Sequence, residues 1–232
     1  MSSAIPMPVP VPAPPATMYT IAVGGSMNPA IHHPLWYRTI DAIDEAEYQA
    51  SINTPFNTTT QLLSQLRFAN SRLAVQCQPN EWTIQGFDDA SWPRMVKIAS
   101  LVFEKLNETP VNSYAFVTQK HLNTPIRDVA AALADKIYGL NLRLPHGDEP
   151  NSSIELKVKI DDHQVRMVLQ PSMIGVDKLF VFYQHLYPAP QTPGGGYFDL
   201  GKLITARVDA FCEAQKAHCQ SVISSLSEHP DE

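Results

Sequence analysis

Charge is what this 232-residue chain has least of. Asp, Glu, Lys and Arg together make up 17 % of it, and the formal net charge is −6. Residues 1–60 hold one basic side chain, Arg38, against Asp41, Asp44, Glu45 and Glu47. An acidic surface with no local Lys/Arg cluster repels phosphate backbones, so nucleic acid is not expected as a ligand. Cysteine is scarce as well. Cys77, Cys212 and Cys219 form an odd set, and the last two sit seven apart on a predicted helix. Their Cα atoms are then about 10 Å apart, beyond disulfide reach. Reduced, buried thiols follow, as in a cytoplasmic protein.

Long hydrophobic runs are missing. The longest, around residues 179–183, falls far short of the ~20 residues a membrane helix needs. The N-terminus carries neither the basic region nor the continuous apolar region of a secretory signal. The expected setting is cytoplasmic, with no membrane contact.

Chemistry-bearing motifs are equally sparse. There is no Cys-x-x-Cys or His-x-x-x-His pair to announce a metal site, and no Gly-x-Ser-x-Gly nucleophile elbow. The nearest match is the run from Gly196 to Leu203, which has the spacing of a phosphate-binding loop. Leu203 stands where a Ser or Thr hydroxyl would hold Mg²⁺, Tyr197 and Phe198 crowd the backbone, and Asp199 places a negative charge in an anion cradle. A glycine loop followed by Asp199 capping the last helix accounts for it. The pairs Asp88-Asp89 and Asp161-Asp162 fit turn and cap chemistry. No catalytic residue, cofactor or metal ligand is assigned.

Proline is what the chain has in excess. Pro6, Pro8, Pro10, Pro12, Pro14 and Pro15 punctuate an uncharged N-terminal stretch. Proline fixes φ and donates no backbone hydrogen bond, so residues 1–17 read as an extended, disordered arm. Pro12-Ala-Pro-Pro15 satisfies P-x-x-P, but the basic residue such ligands add is absent. The last five residues, 228–232, read as a disordered tail.

Between them the hydrophobic fraction of 44 % supplies a real core. Residues 18–23 predict a strand. Residues 26–37 read as a loop, because Asn28-Pro29 and His32-His33-Pro34 interrupt any period. A weak helix over 44–51 and a second loop over 53–60 follow, with a short segment beginning at Gln61. Alternation through Leu73, Val75 and Cys77, then Trp82 and Ile84, predicts a hairpin. Trp92, Met95, Val96, Ala99, Val102, Phe103 and Leu106 recur at helical spacing. A strand over 111–122, a helix over 126–140 and a hairpin over 154–169 come next, the hairpin with one wet face. An apolar strand over 178–187 precedes a final helix over 199–226, about 40 Å long.

The expected fold is α+β. A mostly antiparallel sheet comes from two hairpin-containing halves, 18–110 and 111–227. Amphipathic helices and the long C-terminal helix pack on one face of a single domain over 18–227.

Candidate recognition residues cluster in two places. His32, His33, Trp36 and Tyr37 lie in a segment rich in adaptable contact types, and equally suited to clamping a loop onto the core. His185 sits near the end of an aromatic strand, with Tyr183 and Tyr187 beside it. Two functions remain open. The preferred one is a non-enzymatic interaction or assembly protein, a scaffold or adaptor with a protein partner or a homo-oligomer. The alternative is a small-molecule binder or enzyme, with a site between the sheet and the C-terminal helix drawing on His32, His33, Tyr183 and His185.

Overall fold

A computed structural model describes residues 16–139, 153–190 and 198–227. Residues 1–15 of the proline-rich stretch, the segment 145–152, the glycines at 194–196 and the tail 228–232 lie outside the described residues. The elements in chain order are β1 (Thr17–Gly25), a 3₁₀ turn (Pro29–Ile31), α1 (Pro34–Thr39), α2 (Glu45–Ile52), β2 (Thr58–Thr59), β3 (Ser64–Phe68), β4 (Leu73–Gln78) and β5 (Glu81–Gly86). Then come α3 (Ser91–Lys105), β6 (Val111–Asn123), α4 (Val129–Gly139), β7 (Ile154–Ile160), β8 (His163–Pro171), β9 (Lys178–Pro188) and α5 (Leu200–Ser227). The fold is α+β, as the alternation of the sequence implies.

All nine strands join one antiparallel sheet in the order β2-β3-β4-β5-β1-β6-β9-β8-β7. Outward from the central β1–β6 pair, one side runs β5-β4-β3-β2 and the other β9-β8-β7, each in reverse chain order. Because side chains alternate along a strand, register decides which residues share a face. One inner-face row runs Leu66, Val75, Ile84, Ile21, Phe116, His185, Val165, Val158 across eight strands. Ile21, Ile84 and Phe116 in that row are fully buried, each worth about 1.5–3 kcal/mol of transfer free energy.

The helices meet this inner face. Trp92, Met95, Ala99, Val102 and Phe103 of α3 form the buried stripe as expected, joined by Ile98, while Val96 and Leu106 are only partly buried. Trp82 meets Phe103 edge-on at 5.2 Å between centroids. Phe211 of α5 packs on Trp92 at 5.7 Å and on Tyr183 at 5.8 Å. α4 adds Val129 and Leu133 to the same core. Asp88 closes the turn before α3: its Oδ1 accepts both the Ser91 N–H at 2.8 Å and the Ser91 hydroxyl at 2.6 Å, while Ala90 at the N-cap makes no side-chain cap bond. Asp89 has a different task, receiving the Tyr19 hydroxyl and lying 3.5 Å from Lys120 Nζ.

Two local readings change. Residues 26–37 are not all loop, because the dipeptides that break the period are helix starts. Asn28 caps the 3₁₀ turn, accepting from Ala30 N at 3.2 Å, with Pro29 at its first position. His33 caps α1 in the same way, with Pro34 first in the helix. Proline suits that position, since the N–H it lacks has no partner there anyway. The segment beginning at Gln61 contains β3, which pairs Leu66 with Val75 and Phe68 with Leu73.

Candidate functional site

The first cluster of sequence candidates divides into core groups and a cap. His32 and Tyr37 are completely buried. His32 Nδ1 lies 2.9 Å from the Tyr37 hydroxyl, which accepts the Trp82 indole N–H at 3.0 Å. The His32 carbonyl receives the hydroxyls of Thr59 and Ser64. Burial lowers the His32 pKa to about 4, with the neighbouring His33 adding to the effect, and it pushes the Tyr37 hydroxyl well above its ordinary value. His33 Nδ1 accepts the Trp36 N–H at 3.3 Å. Trp36 is half-buried, edge-on to both His32 and Tyr37 at 5.1 Å. This group clamps the segment between β1 and β2 onto β5.

His185 lies in the other half of the sheet, so the sequence candidates do not form one site. It is the one polar side chain in the eight-strand inner row, and α5 covers it. His185 Nε2 is 2.8 Å from the Tyr183 hydroxyl, and Nδ1 is 3.1 Å from the Tyr187 hydroxyl. The Tyr183 hydroxyl is also 2.7 Å from Nδ1 of His218 on α5. His218 is exposed, so a chain of imidazoles and hydroxyls runs from core to solvent. Burial first, then the neighbouring His163 and His218, lowers the His185 pKa to about 4.

A charged layer closes the open end of this cluster. Arg207 of α5 grips Asp162 with Nη1 at 3.3 Å and Nη2 at 2.6 Å, and its guanidinium sits 4.5 Å from the Tyr187 ring centroid. That fork of hydrogen bonds holds the Asp162 carboxyl down at about 2. His163 stacks on Tyr187 at 4.6 Å and 21°, next to His185 at 4.8 Å. Its Nδ1 is 3.3 Å from Asp162 Oδ1, while its buried Nε2 has no partner. Beside it a cavity of about 290 Å³ opens between Asn112, Lys159, Asp162, His163 and Leu186. His163 and His218 carry no signal in the sequence. One depends on a tight turn and the other on the phase of α5.

The outer face of the sheet presents a different chemistry. Register places Gln65, Gln76, Thr83, Gln85, Thr20, Ala22, Val117, Gln119, Phe182, Gln184 and Gln164 there. Its centre is uncharged. Two shallow cavities flank that centre. One of about 730 Å³ spans β3, β4 and β5, with Phe56 and Phe87 at its lip. The other, about 600 Å³, spans β7, β8 and β9, with Lys157, Lys159 and Arg166 in its lining.

The loop-like motif at 196–203 has a packing role in its described part. Asp199 Oδ1 accepts the Lys202 N–H at 3.0 Å, and Asp199 Oδ2 is 3.0 Å from Lys202 Nζ. Gly201 is buried where α5 crosses α3, and a Cβ on it would stand 2.6 Å from the Ser100 carbonyl oxygen. Cys77, Cys212 and Cys219 are free thiols, the first and last buried. Among the described residues no group of three or more His, Cys, Asp or Glu is placed to hold a metal ion. No helix among them is long and apolar enough to cross a membrane. Compared with known proteins, the chain matches no family model and no curated sequence.

Proposed function

We propose that this chain is a non-enzymatic interaction or assembly protein, an adaptor that recognises a protein partner on the open face of its sheet. The observation that carries the reading is that face itself. Its centre on β5, β1 and β6 is uncharged and carries glutamine amides, with the half-buried Phe182 beside it under the Arg166 guanidinium at 5.1 Å. Glutamine both donates and accepts hydrogen bonds, so it can meet a partner's backbone without burying a charge. Depletion of charge at the centre with polar groups around it is the composition of an interface core. The working location is cytoplasmic, in keeping with three unpaired cysteines.

Two like charges placed on that face test the reading. The variant Gln85→Glu/Gln184→Glu should melt like the parent, yet lose the partner that full-length protein retains in affinity purification from its native host. Equal recovery of the same partner with both proteins rejects the open face. A chain starting at Thr17, run in parallel, reports whether the proline-rich arm contributes.

A small-molecule or catalytic role is the second reading, and the unpartnered Nε2 of His163 beside the 290 Å³ cavity favours it. Here Tyr183 and His185 would act as a relay to His218. Thermal stabilisation by a small-molecule panel, abolished in His163→Gln, would support this role over the adaptor.

A further inference from the structure

Strand β7 closes one end of the sheet, and among the described residues nothing pairs with its far side. Its sequence, Ile-Glu-Leu-Lys-Val-Lys-Ile, alternates cleanly. Ile154 reaches the core, but Leu156, Val158 and Ile160 on the same inner face are 49, 54 and 39 % exposed. The helix layer therefore leaves an apolar stripe along an unpaired edge. Such an edge is a template for another strand unless it is blunted.

The turn geometry shows which backbone groups are available. Ile160 and His163 flank a two-residue turn, with Asp161 in the left-handed region at φ 46°. In such a hairpin the flanking residues form the hydrogen-bonded closing pair. Bonding then alternates, so Ile154, Leu156, Val158 and Ile160 point their N–H and C=O at β8. Glu155, Lys157 and Lys159 aim theirs at the free edge.

We propose that β7 pairs antiparallel with β7 of a second copy of this chain, about a two-fold axis at Leu156. The occupant follows from charge complementarity along the strand. This register sets Glu155 of each copy opposite Lys157 of the other, in hydrogen-bonded pairs, two such pairs per dimer. It sets Leu156 against Leu156 and Ile154 against Val158 on the apolar side. Shifting the axis to Lys157 pairs Glu155 with Lys159 twice but opposes Lys157 to itself, and shifting it to Val158 opposes Lys157 to Lys159 twice. Glu155 is already held on that face by Arg166 Nε at 2.6 Å and Lys157 Nζ at 3.2 Å. The paired sheets would join the open faces of the two copies into one surface. The edge is distinct from the open face, so either proposal can fail while the other stands.

Sedimentation velocity and light scattering on the full chain provide the test. The expected species has twice the 25.7 kDa chain mass. Lys157→Glu turns both cross-strand pairs repulsive and should weaken association by about tenfold or more. Glu155→Lys should do the same. An equimolar mixture of the two variants should recover the dimer, because each supplies the charges the other lacks. Both positions are surface positions, and circular dichroism melting verifies that each variant folds. A parent chain that stays monomeric up to about 100 μM overturns the proposal. So does a dimer indifferent to Lys157→Glu, or a mixture that fails to reassociate.

Discussion

Tyr183 of β9 and His218 of α5 meet hydroxyl to imidazole at 2.7 Å, and Arg207 of the same helix hydrogen-bonds Tyr187 farther along the strand. The His218 contact is the outermost link of a chain in which the Tyr183 hydroxyl also faces His185, and His185 faces Tyr187. A buried imidazole is costly unless both ring nitrogens have partners. His185 is therefore tolerated in an otherwise apolar row because two tyrosines of its own strand serve it, one on either side. Strand periodicity makes this possible, since Tyr183, His185 and Tyr187 share one face.

Removing the Tyr183 hydroxyl should show what the chain is worth. Tyr183→Phe leaves Nε2 of His185 buried without a partner and should cost about 1–3 kcal/mol, read from urea unfolding. His218→Ala, which removes an exposed group, should cost less. Equal losses from the two would mean that the helix contact, and not the satisfaction of His185, carries the energy.

Stability should fall as the solution is acidified through a defined window. His32 and His185 take up a proton at about 4 in the folded chain, against about 6.5 once unfolded. Between those values the unfolded chain binds more protons, so folding stability rises with pH. The contribution is complete above about pH 6.5 and is lost progressively down to about pH 4, at ~1–3 kcal/mol for each histidine. Urea midpoints across pH 4–7 should trace that slope, and His32→Gln should reduce it. A flat profile would mean that both rings titrate in the folded protein as they do in the unfolded chain.

The three thiols should differ sharply between folded and unfolded chains. Burial pushes the Cys77 thiol up to about 12 and raises Cys212 and Cys219 as well. Only the thiolate reacts, and at pH 8 a thiol of that pKa is ionised to about one part in ten thousand. A disulfide reagent should leave Cys77 untouched in native protein and titrate all three cysteines in denaturant. Rapid modification of Cys77 without denaturant would place it outside the core.

Periodicity carried most of the fold. The hairpin over β4 and β5, the stripe of α3 and the long stripe of α5 were legible because one face of each is apolar. β3 was not, since Ser64, Gln65 and Arg67 leave only Leu66 and Phe68 to mark it. α1 was hidden by Pro34, read as a breaker when it opens the helix. The site was half legible. His185 stood out between two tyrosines, but His163 and Arg207 are brought to it by pairings that no local pattern encodes. His32 and Tyr37 drew notice for composition suited to recognition, and the structure places them inside the core. Adjacent residue types cannot distinguish a recognition loop from a clamp, because both use aromatic rings with polar tips.

Gly201 gives the clearest test of a motif read as packing. It belongs to a run with phosphate-loop spacing, yet it sits where α5 crosses α3, with the Ser100 hydroxyl donating to its carbonyl at 3.3 Å. A methyl group there meets the Ser100 carbonyl oxygen at 2.6 Å, and that backbone oxygen cannot swing aside as a flexible side chain can. Gly201→Ala should therefore force the two helices apart and cost about 1–3 kcal/mol, lowering the melting temperature. If the glycine instead served a nucleotide, ATP with Mg²⁺ would raise the melting temperature of the parent and lose that effect in the variant. The packing role predicts a lower melting temperature for the variant and no response to ATP in either protein.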